Sequence, residues 1–350
     1  MTFQRWFDNS GLSERDREAA EKGWNAHIES LGTKYAFLVP AKYGICGARY
    51  KYLKFFETLP DSETKLFWEA HFQTAKRWVP SRLVIFGDRW GSYRLAQENK
   101  FPYILCEHDV VTMRETGLTY AKSERTKIKG AEKIIFTSPD HQKYIVNRYN
   151  VDPKKTMVLY LRPSKEDLDF EPLPKLPGKN IVYVGGLMDK AETNHKFGYR
   201  SYGRIFKAFI DNGWNVHLYP IRKAPEEYAA MGCIYHETVP EGKELYREIS
   251  QFTAGLQTFN RIGVPDQAYK YAMTCRPNKL WNYLGGGIPT IGFQGGNGMK
   301  MYEGKWGIIL DDLANIKGIE KKFKDLDIEK YRKEQVIESQ KEELIEFLER

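Results

Sequence analysis

Short apolar runs alternate along the chain with segments of helical period. In the first half, apolar runs predict strands at 35–40, 82–87, 103–109, 133–138 and 156–161. Apolar or aromatic residues that recur on one face predict helices at 49–59, 92–99, 122–131 and 141–149. Strands that alternate with helices are typical of a parallel sheet with both faces covered. The first half is therefore predicted to be an α/β domain.

A proline-rich segment at 163–179 ends this pattern, and a second one of the same kind follows. The second half predicts strands at 181–186, 214–220, 254–259, 288–293 and 307–312. Helices are predicted at 200–213, 244–251 and 278–286. The tail, 329–350, is rich in charge pairs four residues apart and is predicted to be one long amphipathic helix. In α/β sheets of this kind, ligands bind beyond the carboxyl ends of the strands.

The segment RPNKLWNYLGGGIPTIGFQGGNG (276–298) carries the clearest candidate chemistry. Arg276 and Lys279 in the first turn of a helix would direct positive charge, together with the helix dipole, towards an anion. The following loop contains Gly295, Gly296, Asn297 and Gly298, whose backbone amides can approach an anion closely. The alternative is a glycine-rich surface loop after an ordinary buried helix.

The spacing K-L-x-x-Y-L-x-x-G-x-P from Lys279 resembles a segment of GT-B glycosyltransferases, and VGGLMDK (184–190) resembles a second segment of that family. The resemblance implies an α/β protein of the GT-B class, with two Rossmann-like domains facing a central cleft. It implies that the second domain holds a nucleotide-sugar through Gly185, Gly186, Lys190, Arg276, Lys279, Asn282 and the loop of Gly295, Gly296, Asn297 and Gly298. Asn282 replaces a family Glu that holds the ribose, and Gly186 replaces a family Arg that binds phosphate. Charge could come instead from Lys190, Lys196, Arg200 or Arg204.

The resemblance also implies a domain plan. Residues 1–165 would form an acceptor-binding domain, 166–179 a linker, 180–330 the nucleotide-sugar domain and 331–350 a C-terminal helix. UDP-glucose or a similar UDP-sugar is the expected co-substrate, and no cofactor is expected to be obligatory. Because no D-x-D motif for a donor metal stands out, no metal is expected either. The four widely spaced cysteines indicate reduced thiols rather than a zinc site.

His108 and Asp109 follow a predicted buried strand and are the candidate catalytic residues. A carboxylate there could orient or deprotonate an acceptor hydroxyl, and a histidine could act as a base. The alternative is that Asp109 caps the next helix. Contacts to the acceptor are predicted for Gly44, Gly47, Arg49, Arg89, Trp90 and Arg114. The stretch 106–138 is loosely similar to bacteriophage DNA α-glucosyltransferases, which implies a hydroxymethylpyrimidine acceptor.

The net charge of +8 favours a polyanionic partner. Basic residues at 122–133, near Tyr and Trp, suit contacts to phosphates and stacking on bases. The leading acceptor is 5-hydroxymethylpyrimidine in phage DNA, which would have to be flipped out of the duplex. The main alternative is a glycosyltransferase of bacterial surface polysaccharide or lipopolysaccharide synthesis. A basic nucleic-acid-binding module is the non-enzyme alternative, and a nucleotide-sugar epimerase is a weaker one.

Apolar runs in the sequence fall short of the roughly 18–20 residues that span a bilayer. The first 24 residues carry scattered charges and no apolar core, unlike a signal peptide. The sequence therefore predicts a cytoplasmic protein, in the host cytoplasm if it is encoded by a phage.

Overall fold

The computed structural model describes residues 17, 21, 35–39, 47–59, 64–68, 82–87, 90–114, 118–188, 197–221, 225–293 and 296–350. These residues form two compact units. The first contains the described residues up to Asp109, then Ala121–Leu159 and Lys341–Arg350. The second contains the described residues within Val110–Tyr120 and Tyr160–Gln340. The predicted domain bounds stay a prediction, and the segment that follows Asp109 belongs to the second unit.

The first unit is built on a parallel sheet of six strands in the order β2-β1-β3-β4-β5-β6. The strands are β1 (Tyr35–Val39), β2 (Thr64–Trp68), β3 (Arg82–Phe86), β4 (Tyr103–Glu107), β5 (Lys133–Phe136) and β6 (Thr156–Val158). Its helices are α1 (Ala48–Glu57), α2 (Trp90–Glu98), α4 (Leu118–Gly130) and α5 (Pro139–Tyr149), and α3 (Val111–Arg114) lies in the second unit. Every residue of β4 is buried, as expected of a strand covered on both faces.

The second unit has another parallel sheet of six strands, in the order β12-β11-β10-β7-β8-β9. Its strands are β7 (Lys179–Gly185), β8 (Trp214–Pro220), β9 (Ile234–Tyr235), β10 (Ala254–Thr258), β11 (Thr290–Phe293) and β12 (Gly307–Leu310). Its further helices are α6 (Gly203–Asp211), α7 (Glu226–Ala230), α8 (Lys243–Ile249), α9 (Asp266–Thr274), α10 (Asn278–Gly285), α11 (Asn297–Lys300) and α12 (Ile328–Glu334). The two sheets confirm the predicted α/β class.

The predicted single tail helix is wrong. The chain forms α12, then a 3-10 turn at Ile337–Gln340, then α13 (Lys341–Glu349) in the first unit. The helix is interrupted because the Ile337 amide donates to the Pro163 carbonyl, at 2.9 Å, and not to a carbonyl of the preceding helical turn. Local charge spacing favours one helix, and this hydrogen bond between distant parts of the chain outweighs it.

The proline-rich segment is part of the second unit and packs on its α8–β10 region. The amide of Leu176 donates to the Gln251 carbonyl at 2.9 Å, and Lys175 Nζ donates to the carbonyls of Ser250 and Phe252 at 2.8 and 2.9 Å. Leu168, Phe170 and Leu176 also lie against a buried apolar cluster. Within the described part of the chain, no helix has the length and apolar character to cross a membrane.

Candidate functional site

The carboxyl end of β7 forms a glycine turn against two basic side chains. Gly185 has φ +132°, which L side chains rarely adopt. A methyl group at Gly185 would lie 3.5 Å from Cε of Lys279, and one at Gly186 would lie 3.1 Å from Nη1 of Arg200. The turn is held to the Arg200 segment by the Met188 amide, which donates to the Arg200 carbonyl at 3.1 Å. Arg200 therefore occupies space that a side chain at position 186 would need.

Lys279 belongs to the first turn of α10, and its side chain reaches the glycine turn. The first turn of α10 contains no acidic residue. The Lys279 ammonium donates to the Tyr183 hydroxyl at 2.8 Å. Within the described ranges, Lys279 has no carboxylate partner. Burial, and next the positive charge of Arg200, lower the pKa of Lys279 to about 7. An anion at this position would favour the charged lysine and be attracted by it.

Arg276 stands just before α10, where the helix dipole is positive. Its guanidinium lies over the Tyr160 ring, with Cζ 5.4 Å from the ring centre. The Nε and Nη1 atoms are buried, and neither has a hydrogen-bond acceptor among the residues that the structure describes. Buried N–H groups without an acceptor are rare and costly. Among the described residues, Arg276 therefore has two buried nitrogen atoms whose N–H groups lack an acceptor.

The other predicted donor residues have mixed outcomes. Asn282 is buried at 3% exposure in α10. Gly296 and Gly298 lie against the backbone of Met273 and Cys275, so their lack of a side chain permits close packing of the loop. Asn297 begins α11. Lys190 and Gly295 lie outside the described residues. The structure therefore gives contacts at the glycine turn or the start of α10 for five predicted donor-side residues: Gly185, Gly186, Arg200, Arg276 and Lys279.

His108 and Asp109 follow β4 in the first unit and are half-buried. The His108 ring lies 6.4 Å from the Tyr52 ring. The preceding residue, Glu107, has no exposed surface and pairs with Lys127, with Nζ to Oε2 at 2.5 Å. Burial raises the pKa of Glu107 to about 7, although Lys127 opposes the rise. The catalytic role of His108 and Asp109 stays a prediction.

The structure describes four of the six predicted acceptor residues: Gly47, Arg49, Trp90 and Arg114. Gly47 caps α1, and Arg49 is buried over Phe86, with Cζ 5.7 Å from the ring centre. Trp90 begins α2. Gly44 and Arg89 lie outside the described residues. These positions stay predictions.

Arg114 was expected to contact the acceptor as part of the first domain, but it lies in the second unit. Its guanidinium covers the rings of Phe197 and Tyr271, at 4.8 and 5.5 Å from the ring centres. Arg200 covers the same Phe197 ring at 5.2 Å. α3 is fixed there because Gln267 in α9 donates to the Thr112 carbonyl at 2.7 Å. Arg114 is thus grouped with the predicted donor residues.

Tyr183 is part of this site but was not predicted from the sequence. An aromatic residue within a β-strand normally indicates a core position, and Tyr183 is indeed buried. Its hydroxyl contacts Lys279, Gly186 and Tyr202. The position of this tyrosine two residues before a Gly-Gly turn was the available signal.

No protein-family model matches the sequence, and no curated protein matches it. Solved structures do match. The Anabaena protein HepE, solved in complex with UDP and glucose, is 11% identical with a TM-score of 0.65, covering 91% of this chain and 99% of that one. Sucrose-phosphate synthase from Thermosynechococcus elongatus is 10% identical with a TM-score of 0.57, covering 86% and 91%.

A third match is WaaG, a glycosyltransferase involved in lipopolysaccharide biosynthesis. It is 12% identical, with a TM-score of 0.57, and covers 89% of this chain and 98% of its own. At such low identity the likeness concerns the fold. Together with the two parallel-sheet units, it confirms that the chain has the GT-B glycosyltransferase fold.

Proposed function

We propose that this chain is a glycosyltransferase that binds a UDP-sugar in its second unit and transfers the sugar to a hydroxyl group. The observation that carries the proposal is a pair of cations that have no carboxylate partner among the described residues. There, Lys279 donates to a phenol, and two buried nitrogen atoms of Arg276 have no acceptor for their N–H groups. Both residues lie at the positive end of α10. A diphosphate has the charge and the acceptor oxygens that this arrangement lacks.

These residues would act on the leaving group. When the bond to the anomeric carbon breaks, negative charge grows on the departing UDP. Lys279, Arg276 and Arg200 would stabilise that charge through groups that are already in place, which is the main way in which such sites accelerate a reaction. Asp109, or His108 beside it, would take the proton of the acceptor hydroxyl.

UDP is the proposed nucleotide because HepE, which shares the fold, was solved with UDP and with UDP-glucose. Asn282, in place of the family Glu, would approach the ribose as a neutral hydrogen-bonding group. Among the described residues, no cluster of three or more His, Cys, Asp or Glu side chains could hold a metal ion. That no metal is obligatory remains a prediction.

For the acceptor, we propose a surface-polysaccharide or lipopolysaccharide glycan ahead of DNA. The basic stretch at 122–133 had favoured DNA, but Lys127 is paired with Glu107 and Lys133 is buried with its ammonium 5.0 Å from the Phe347 ring centre. Lys122, Arg125 and Lys129 remain exposed, and they are what still favours 5-hydroxymethylpyrimidine DNA. WaaG, named for lipopolysaccharide biosynthesis, favours the glycan.

The test uses labelled UDP-glucose with three acceptors: lipopolysaccharide core oligosaccharide, DNA containing 5-hydroxymethylcytosine and unmodified DNA. We expect UDP release in every case at a slow basal rate, and label transfer to one acceptor. Asp109→Ala should lose at least 100-fold in transfer rate, the scale of a general base, and keep its affinity for UDP. Exposed Asp152→Ala is the control and should transfer normally.

Two results would overturn the proposal. One is the absence of UDP and UDP-glucose binding in calorimetry at millimolar ligand. The other is retardation of DNA by a protein that ignores both nucleotides, which would establish the nucleic-acid-binding module instead. Unchanged transfer in Asp109→Ala would remove only the catalytic assignment.

A further inference from the structure

A single buried hydroxyl connects the parts of the cationic site. Tyr183 is 1% exposed near the end of β7. Its oxygen lies 2.8 Å from Nζ of Lys279, 2.9 Å from the Gly186 carbonyl oxygen and 3.2 Å from the Tyr202 hydroxyl oxygen. The strand, the glycine turn and the lysine of α10 therefore meet at one atom.

The direction of each hydrogen bond follows from the chemistry of the partners. Burial raises the pKa of Tyr183, so the phenol keeps its one proton. The Gly186 carbonyl can only accept, and it therefore receives that proton. Lys279 can only donate when charged, and the Tyr202 hydroxyl has no other described partner, so both donate to the Tyr183 oxygen. The hydroxyl uses its donor and both its lone pairs.

We propose that Tyr183 is a positioning residue for the donor diphosphate: it fixes the Lys279 ammonium against the Gly185–Gly186 turn and brings no negative charge of its own. This inference rests on the proposed function. A free lysine has many rotamers and two adjacent glycines have many backbone conformations, so ordering them before the ligand arrives reduces the entropy lost on binding. A carboxylate could also hold Lys279, but it would compete with the diphosphate for its charge.

The aromatic packing of Tyr183 is separable from its hydroxyl. The ring lies 4.8 Å from the Tyr202 ring and 5.9 Å from the Phe206 ring. Tyr183→Phe keeps these ring contacts and removes only the oxygen that Lys279 and Gly186 share. A purely structural role would show as a loss of stability alone.

Two buried tyrosines supply matched controls. Tyr202→Phe removes a neighbouring hydroxyl and its bond to Tyr183, but leaves the bonds to Lys279 and Gly186. Tyr283→Phe removes a hydroxyl in α10 itself, one that accepts from the Val184 amide at 3.2 Å and donates to the Leu256 carbonyl at 2.9 Å. All three variants lose one buried phenolic oxygen, and only Tyr183→Phe affects Lys279 directly.

The experiment is calorimetric titration with UDP at pH 6 to 9, on the wild type, the three variants, Lys279→Met, and the double variant that combines Tyr183→Phe with Lys279→Met. We expect Tyr183→Phe to weaken UDP binding about tenfold, since a hydrogen bond to a charged group is lost. Its affinity should also begin to fall at lower pH than in the wild type, because the phenol no longer favours the charged lysine. Both controls should stay within about threefold of the wild type, the scale of a single neutral hydrogen bond.

Three outcomes decide the matter. If Tyr183→Phe binds UDP as the wild type does, with the same pH profile, while Lys279→Met loses binding, the positioning role is wrong and the proposed function stands. If Tyr183→Phe weakens binding equally in the Lys279→Met background, Tyr183 does not act through Lys279. If the wild type does not bind UDP, both proposals fail. Should Tyr183→Phe fold poorly, trimethylamine N-oxide favours the folded state and the comparison is made in it.

Discussion

Each unit holds a lysine that is at least partly buried, and the partners of the two lysines differ. In the first unit, Lys127 lies 2.5 Å from the Glu107 carboxylate and donates to the Gly87 carbonyl at 2.6 Å. In the second, Lys279 donates to the Tyr183 phenol, with Arg200 nearby. Lys127 is paired with a carboxylate within the fold, whereas the hydrogen-bond partner of Lys279 is a neutral phenol.

This difference separates a structural cation from one that is available to a ligand. A buried ion pair satisfies both charges, so removing either partner leaves the other uncompensated. A cation that is removed from water and lies near a second positive charge, here Arg200, is destabilised, which is why the pKa of Lys279 falls to about 7. The fold tolerates this cost at the carboxyl end of β7, where the proposed donor would bind. The two lysines should therefore respond in opposite ways to the same substitution.

The largest effect is expected for Lys127→Met, which leaves the Glu107 carboxylate buried without its partner. The free energy of unfolding should fall by about 3–5 kcal/mol at pH 8. The loss should be smaller at pH 6, because Glu107, with a pKa of about 7, can then take up a proton. Urea denaturation measures both values, and exposed Lys122→Met is the control, expected within about 0.5 kcal/mol of the wild type. Equal stability of Lys127→Met and Lys122→Met would contradict the assignment.

The next effect concerns Lys279→Met. Its free energy of unfolding should stay within about 0.5 kcal/mol of the wild type or rise, because no carboxylate of the described residues loses its partner. Its affinity for UDP should fall about 10- to 100-fold, the range of a charge-assisted hydrogen bond. Calorimetry and urea denaturation are run on the same samples, with exposed Lys300→Met as control. A variant that unfolds easily and still binds UDP would reverse the comparison.

The third effect concerns the pH dependence of UDP binding. Lys279 in the free protein loses its proton as the pH rises through about 7, whereas a bound diphosphate would hold that proton on. UDP affinity should therefore fall between pH 7 and pH 9, by up to about tenfold per pH unit while one proton is taken up on binding. Lys279→Arg, whose side chain stays charged, should bind UDP with little change over this range. A flat wild-type profile would mean that Lys279 does not meet the diphosphate.

Much of this architecture could be predicted from the sequence. The buried strands 82–87, 103–109 and 181–186 are short apolar runs with turn residues after them, and the structure has strands at each. Arg276 and Lys279 were identified because they precede a helix within a spacing that resembles GT-B enzymes. Such signals are local, and the residues that carry them lie within a few positions of each other.

Features that depend on distant residues were missed. Lys127 was expected on a basic surface, but its partner Glu107 is 20 positions away. Arg114 was predicted to belong to the first domain, yet the helix that carries it, α3, packs on α9 through a hydrogen bond from Gln267. The break in the tail also involves Gln340. Its side-chain oxygen accepts from the Tyr160 amide at 3.0 Å, and its side-chain nitrogen donates to the Tyr160 carbonyl at 2.9 Å. No periodicity in the sequence encodes these pairings.

The most direct test of the donor site is hydrogen–deuterium exchange of the wild-type protein with and without saturating UDP. We predict that UDP slows exchange most in the peptides that contain 183–188, 197–202 and 276–283, where the glycine turn, Arg200 and the first turn of α10 meet. The peptides around the Lys127–Glu107 pair provide the comparison within the same molecule. UDP that binds without slowing exchange in those three segments would contradict the account, because the cations there would then serve another purpose.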